Sequence, residues 1–434
     1  MPAPRCDAEL AAEMRILFVQ RDRWPRSIGG SEFYEHHLST ELSNRHEIGI
    51  FCGDPRLRTS GIQCSADAGR ALFEVAQDWE LYPGSPSEER VRSAFREILD
   101  RFRPDLVHFH DLCRLSIALP RIARRRGIPV VHTLHDFFLM CPRIILRTTG
   151  NRLCRGPSAR GCFDCARDMA SERYVAKLGG ERLVGRIKRR LKAAAQRRAT
   201  EIYFALLRGL QIRSARAAIA AFLCPSQTLH DRLRAHGIPE HKLRVLAYGL
   251  PELGAPRPKQ ISDRVRFAFV GNPTRHKGIF VLIEAARRVP EVEVVVYGPL
   301  TSSDAPTLRV EAANVPNVRL AGILSDAEKA EAYAGIDVLV APSIWYENQP
   351  FTILEAFHFA TPVLTNRLGG MEELMRHGGG WVVEPERPDA LAEIMRGLAR
   401  HPTEIAAAAR AIPPVPSLAE QVRHLERIYA EVVV

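Results

Sequence analysis

The sequence predicts an α/β chain of two domains, each a mainly parallel sheet flanked by helices. Three observations predict it. Short apolar runs alternate with stretches of helical length, the pattern of βαβ units. That rhythm occurs twice, restarting after Ser262. Between the two series lies PELGAPRPKQ (251–260), whose three prolines and one glycine describe a stiff, exposed connector. The length of 434 residues allows two or three domains. The 46% hydrophobic content is that of an ordinary globular chain with enough apolar material for more than one core.

The elements follow in order. Residues 1–13 are polar and acidic, lack the basic start and apolar centre of an export signal, and read as a disordered leader or a start-codon artefact. An N-terminal domain is expected over 14–250. Its first strand is RILFVQ (15–20), followed by a Gly-Gly turn and a helix from about Glu32 to Leu42. Strands are also expected at Glu47–Phe51, Leu106–His110 and Pro129–His132, with a helix at Leu115–Arg126. Such short apolar runs between polar turns suit strands buried on both faces.

After a linker at 251–262, a second domain is expected over 263–411. Its strands are Arg266–Val270, Glu293–Tyr297, Asn317–Leu320, Val338–Ala341, Val363–Thr365 and Trp381–Val383. Its helices are Gly278–Val289, Asp326–Ala334, Pro350–Phe359 and Pro388–Arg400. IPPVP (412–416) breaks the chain before a last helix, Leu418–Ala430, within a closing segment 412–434 that can pack on either domain.

Three motifs carry chemistry. Gly29-Gly30-Ser31-Glu32 follows the first strand at a helix start, where backbone N–H groups favour an anion; the plain alternative is a strand-to-helix turn. It lacks the third glycine of a dinucleotide fingerprint. The loop 271–278 (GNPTRHKG) puts Lys277 and Arg275 at the positive end of a helix. Cations there suit a diphosphate leaving group, though alone the loop reads more readily as a solvated basic turn. Glu347 and Glu355 are separated by seven residues. One falls in the loop after VLVA and one in the next helix, so both lie near the carboxyl edge where open α/β sheets bind ligands. Either could instead be an ordinary loop or helix acid.

Taken together, these residues resemble the retaining GT-B glycosyltransferases of family 4, the group 1 glycosyltransferases. The match runs through Gly271, Lys277-Gly278, Pro342-Ser343, Glu347, Glu355-Ala356, Thr361-Pro362-Val363, Gly369-Gly370 and Glu373. In the first half it runs through MRILFV, Gly29-Gly30, His108 to Asp111 and Thr133-Leu134-His135-Asp136. The resemblance covers most of residues 14–410. It implies two Rossmann-like domains facing a central cleft, and transfer of a sugar from a nucleotide-sugar donor to a carbohydrate or lipid-linked acceptor with retention of configuration. It implies that Lys277 binds the donor diphosphate, Glu355 the ribose, and Gly369 and Gly370 the donor through their backbone. It places Glu347 and His135 at the transferred sugar, with Gly29, Gly30 and Gly271 along the donor. No cofactor is required for that catalysis. The family's arginine after the loop glycine is replaced by Asn272, and Arg275 is the candidate substitute. A GT-B nucleotide-sugar epimerase or hydrolase, or a non-catalytic membrane-associated glycan-binding protein, are the alternatives.

Two features of the first half stand outside these motifs. Cys141, Cys154, Cys162 and Cys165 form an insertion, C-x12-C-x7-C-x2-C, over about 141–165. The set suits a structural zinc ion, with reduced, partly buried thiols or a redox pair as alternatives. The net charge of +11 is nearly all concentrated in 171–216, where thirteen Lys and Arg meet three Glu. Apolar residues recur there at helical spacing through Leu183, Val184, Ile187 and Leu191. The helix reads either as a contact for an anionic membrane surface or as a solvated basic face. Nucleic acid is disfavoured, since no recognition motif accompanies the charge. The expected place is the cytoplasm, with a peripheral position at the inner membrane face as the variant of that reading.

Overall fold

The computed structural model describes residues 13–27, 29–57, 61–77, 86–113, 115–141, 143–148, 150–158, 162, 165 and 209–433. The expected leader, apart from Glu13, and the basic segment up to residue 208 lie outside the described residues. The chain divides into two compact units. One comprises Met1–Cys224, Arg234–Leu246 and Ala419–Val434; the other comprises Pro225–Leu233 and Ala247–Leu418.

The first unit is built on eight strands: β1 (Arg15–Gln20), β2 (Glu47–Asp54), β3 (Ile62–Asp67), β4 (Arg70–Ala76), β5 (Leu106–Phe109), β6 (Val130–Thr133), β7 (Ala221–Cys224) and β8 (Leu243–Val245). Their order is β3-β4-β2-β1-β5-β6-β7-β8. All neighbours are parallel except β3, which runs back along β4 with Asp67 opposite Arg70. The two residues between them, Ala68 and Gly69, have φ of 48° and 80°, the paired positive angles of a tight hairpin. The central strand β1 is buried from Ile16 to Gln20, as a strand covered on both faces must be.

The last helix, Leu418–Val433, packs within the first unit. Leu418, Val422, Leu425 and Tyr429 form its buried stripe. On the same face Gln421 donates to the Tyr34 hydroxyl at 2.7 Å, and Glu426 meets His46 Nε2 at 3.1 Å. The choice of domain that the Pro-rich break left open is thereby made.

The second unit holds β9 (Arg266–Val270), β10 (Glu293–Tyr297), β11 (Val318–Gly322), β12 (Val338–Ala341), β13 (Val363–Asn366) and β14 (Gly380–Val383). The sheet order is β11-β10-β9-β12-β13-β14, parallel throughout. The strands therefore run outward one way from β9 and the other way from β12, the Rossmann arrangement with its switch point between those two strands. Phe267, Val294, Val296, Val338, Val340 and Leu364 form the core with Ile279, Leu282 and Ile283 of the helix Ile279–Arg287. Each such buried side chain contributes about 1.5–3 kcal/mol. Asp337 ties the opposite edge by accepting from Ser262 N and Arg266 N at 3.1 and 2.7 Å. The four expected helices are present, Asp326–Ala334 as a 3-10 turn, Asp326–Glu328, leading into a helix Lys329–Ala334; Ala305–Ala313, Gly370–Met375 and Pro402–Arg410 are helices the sequence did not predict.

Candidate active site

At the carboxyl edge of the second sheet, three loops meet beside the switch point. They follow β9 (271–278), β12 (342–350) and β13 (367–369). The first ends in a 3-10 turn, Arg275–Lys277, and Gly278 then starts the helix Ile279–Arg287 in the left-handed conformation, φ 79°. A Cβ on Gly278 would lie 1.8 Å from the Pro342 carbonyl oxygen, so the loops touch backbone to backbone. Ile344 N donates to His276 O at 3.0 Å across the same contact. Gly370 N donates to Glu347 O at 2.9 Å, and a Cβ on Gly370 would fall 1.6 Å from the Asn348 carbonyl oxygen.

This interlock presents Lys277 to Glu347. Glu347 Oε1 accepts from Lys277 Nζ at 2.5 Å, Ser343 Oγ at 2.7 Å and Trp345 Nε1 at 2.7 Å. Ser343 is held in turn by Asn366 Nδ2, which donates to its carbonyl at 2.9 Å. The cluster combines one cation, one carboxylate and a hydroxyl in a partly buried place, where charge interactions are stronger than in water. Arg275 is not part of it. Its guanidinium lies over the Phe280 ring at 4.7 Å, and its backbone N–H donates to Asp304 at 2.7 Å. The structure thus gathers Lys277, Glu347, Gly369 and Gly370, with Gly271 opening the loop at φ 133°, and leaves Arg275 on the neighbouring helix.

Glu355 is buried in the helix Phe351–His358 and pairs with Lys329 Nζ at 2.6 Å. Lys329 also meets Asp326 at 2.8 Å. Burial works against the Lys329 charge, but Glu355 and Asp326 outweigh it and keep the ammonium protonated above its ordinary value. Lys329 is missing from the sequence reading. Its only local signal was the Asp326-x-x-Lys329 pairing on one helical face. Replacing Lys329 by methionine leaves the buried Glu355 carboxylate without its cation, and is expected to destabilise the second unit by about 3–5 kcal/mol in urea titration. A loss below 1 kcal/mol would refute a tight pair. Glu373, part of the sequence signature, accepts from Gln227 N, Thr228 N and Thr228 Oγ1, each at 2.8 Å. It caps the helix Gln227–Ala235, a structural task.

The carboxyl edge of the first sheet has different chemistry. Loops after β1, β5 and β6 carry Arg21, His110, Asp111, His135 and Asp136. Arg21 meets Glu32 at 3.1 Å and Asp111 at 3.2 Å. Burial and the charge of Asp111 push the Asp136 carboxyl up to about 7. Gly29 caps the helix Gly30–Leu42 in extended backbone. A Cβ on Gly29 would meet Glu32 Oε2 at 2.3 Å, so a carboxylate already faces this helix start. The edge is suited to sugar hydroxyls, which donate to carboxylates, more than to phosphate.

His135 Nε2 and His110 Nδ1 lie 3.1 Å apart with their rings stacked. His108 bonds Tyr429 at 2.6 Å and Thr133 at 2.8 Å. Burial drives His132 and His135 down to about 3, and His108 and His110 well below their ordinary value. All four are neutral at pH 7. Protons that the unfolded chain binds below about pH 6.5 are refused by the fold, so stability present above that pH is lost on acidification by about 1.4 kcal/mol per pH unit per histidine. Asp136 and Glu35, raised to about 7, and Glu355, also raised by burial, oppose this, but His36 and His276 are lowered by burial as well, so among the described residues three carboxyls stand against six histidines. The urea midpoint is expected to fall from pH 7 to pH 5, and His132→Gln to flatten that slope. A flat profile would contradict neutral burial.

Cys141, Cys154, Cys162 and Cys165 line a single cavity elsewhere in the first unit.

Two Rossmann-like sheets, one carrying a lysine–glutamate cluster at its switch point, define a chain of the GT-B class. Residues 28–251 match the family described as Glycosyltransferase Family 4, and residues 264–401 that described as Glycosyl transferases group 1. The chain belongs to glycosyltransferase family 4. It is 32% identical over 131 residues to the phosphatidyl-myo-inositol mannosyltransferase of Mycobacterium leprae, covering 29% of this chain and 34% of that protein. An uncharacterized 42.6 kDa protein in the cps region of Klebsiella pneumoniae is 22% identical over 287 residues, 66% of this chain and 64% of that one. The matched regions thus span less than two thirds of these relatives' length. In fold, HepE of Anabaena, solved with UDP and glucose, superimposes with a TM-score of 0.64 at 16% identity, covering 96% of this chain and all of that one. Among the described residues no helix is long and apolar enough to cross a membrane.

Proposed function

We propose that the chain transfers a sugar from a nucleoside-diphosphate sugar to a glycan or lipid-linked acceptor, with retention of configuration, in the synthesis of a cell-surface polysaccharide or glycolipid. The observation that carries this reading is the cluster of Lys277, Glu347 and the Gly369-Gly370 backbone at the switch point of the second sheet. A donor diphosphate offers Lys277 more negative charge than the single Glu347 carboxylate does. On binding, the ammonium turns to the phosphates and stabilises the charge that grows as the sugar–oxygen bond breaks. Glu347, still held by Ser343 and Trp345, is freed to accept from a sugar hydroxyl. Glu355, whose carboxyl is pushed up by burial and drawn back down by Lys329, takes the ribose diol.

In this proposal the bond from the sugar's anomeric carbon to the diphosphate oxygen breaks while the bond to the acceptor oxygen forms on the same face. The acceptor proton passes to the leaving diphosphate, so no separate base or cofactor is required. His135, neutral through burial, keeps in this proposal the role at the sugar that the family resemblance gives it, and the carboxylates around Arg21 suit acceptor hydroxyls. The lipid-linked acceptor class is supported by the name of the mycobacterial relative, and a UDP-type donor by the ligands of HepE. The charge of 171–216 supports presentation of that acceptor at an anionic membrane surface.

The test is incubation with UDP-, GDP- and dTDP-sugars, with and without lipid or oligosaccharide acceptors. Acceptor-dependent nucleotide release with the product anomer matching the donor is expected. Release without acceptor would favour a hydrolase, an isomerised donor an epimerase, and absence of nucleotide binding a non-catalytic glycan binder.

A further inference from the structure

We propose that Cys141, Cys154, Cys162 and Cys165 bind one structural zinc ion that staples the insertion after β6. The four side chains come from three separate pieces of chain, yet all line one cavity of about 360 Å3.

Each piece is built to hold its thiol. Phe137 N donates to Ile144 O and Cys141 N to Phe137 O, at 3.1 and 2.6 Å, closing a tight loop with Cys141 on it. A small hairpin follows. Arg147 bridges Leu153, Thr148 N donates to Arg152 O at 2.9 Å, and Cys154 N donates to Leu146 O at 2.8 Å. The hairpin therefore returns Cys154 to the level of the first loop. Cys162 and Cys165 are both helical and three residues apart, which puts them on one face. Two thiolates three residues apart in sequence and two from loops are the hook and pincers of a tetrahedral four-sulfur site.

The surroundings support a metal over a plain thiol cavity. Four thiolates around a divalent ion carry a net charge of −2, and Arg147, Arg152 and Arg155 line the same cavity to offset it. The insertion has little core of its own: of its apolar side chains, Cys141 and Leu146 are fully buried among the described residues. Ile144 and Leu146 have positive φ, 71° and 49°, unfavourable for a β-branched or bulky residue and maintained where the surrounding structure holds them. None of Cys141, Cys154, Cys162 and Cys165 is joined in a disulfide. Among the described residues no three such side chains are already gathered to hold an ion. The ligand set forms by the four cysteine side chains turning inward across the cavity.

The experiment is elemental analysis of the full chain purified under reducing conditions without chelator. About one zinc per chain is expected, falling below a tenth in the double variant Cys162→Ser/Cys165→Ser, because the two remaining thiolates cannot hold the ion tightly. Cys64→Ser, on the exposed edge strand β3, should keep its zinc. Should the cysteine variants fail to fold, the wild-type chain decides the matter. Cobalt refolded into it should give the visible bands of a tetrahedral thiolate site, and chelation should open the segment 141–165 to trypsin. Zinc-free protein that takes up no cobalt, iron with labile sulfide, or disulfides among these four cysteines would each overturn the proposal.

Discussion

Replacing Lys277 by alanine is expected to lower kcat/KM for the donor by about a hundred- to a thousand-fold, the usual effect of removing one charge-stabilising donor from a transition state. Its ammonium is the cation that Glu347 holds at the switch point, and Arg275 lies aside over Phe280. With asparagine at position 272, little else at the head of this loop replaces its charge. The substitution should leave the fold intact, since Glu347 keeps the bonds from Ser343 and Trp345 and the Lys277 side chain is about one-third exposed. Steady-state kinetics beside a thermal melt separate the two effects. Lys277→Arg should recover part of the loss, because the charge returns with a different geometry. Unchanged kcat/KM in Lys277→Ala would remove the lysine from the chemistry.

Gly370→Ala should be as damaging for a different reason. The new methyl would stand 1.6 Å from the Asn348 carbonyl oxygen, and backbone cannot swing aside as a flexible side chain can. Relief requires the loop 345–350 to move, carrying Glu347 with it and breaking the Gly370 N to Glu347 O bond. A destabilisation of about 1–3 kcal/mol is expected, together with loss of donor binding. Gly397→Ala is the control. It sits within the helix Pro388–Arg400 with nothing within 4 Å of the added carbon, and should stabilise by about 0.5–1 kcal/mol. Equal behaviour of the two variants would show that the loop contact is not tight.

Most parallel strands were legible because buried βαβ strands are short, apolar and bounded by turns; β7 and β8, only four and three residues long, were not predicted. Nor was the β3–β4 hairpin. Gln63, Cys64, Ser65 and Ala66 are all exposed on an edge strand, so no apolar period marks it, and Ala68-Gly69 is a weak turn signal. The helix Ala305–Ala313 is nearly uniform in polarity around its circumference and escaped for a related reason. At the site, the sequence supplied Lys277, Glu347 and Glu355 as separate candidates. Their partners could not be read from it, because Lys277 and Glu347 lie 70 residues apart and Lys329 and Glu355 lie 26 apart. Spacing likewise left Arg275 and Lys277 equivalent at one helix start, whereas the single 3-10 turn between them sends their side chains to different neighbours. The partner that buries His108, Tyr429 of the final helix, returns from the far end of the chain and could not be read from local sequence.

Calorimetric titration of wild-type and Lys277→Ala protein with a panel of UDP-, GDP- and dTDP-sugars tests most directly whether the switch point of the second sheet is a nucleotide-sugar site. Saturable binding of at least one donor by the wild type, weakened about tenfold or more in Lys277→Ala and unchanged in Gly397→Ala, is the predicted result, a tenfold change corresponding to about 1.4 kcal/mol. Absence of binding across the panel, or equal affinity in Lys277→Ala and wild type, would contradict it.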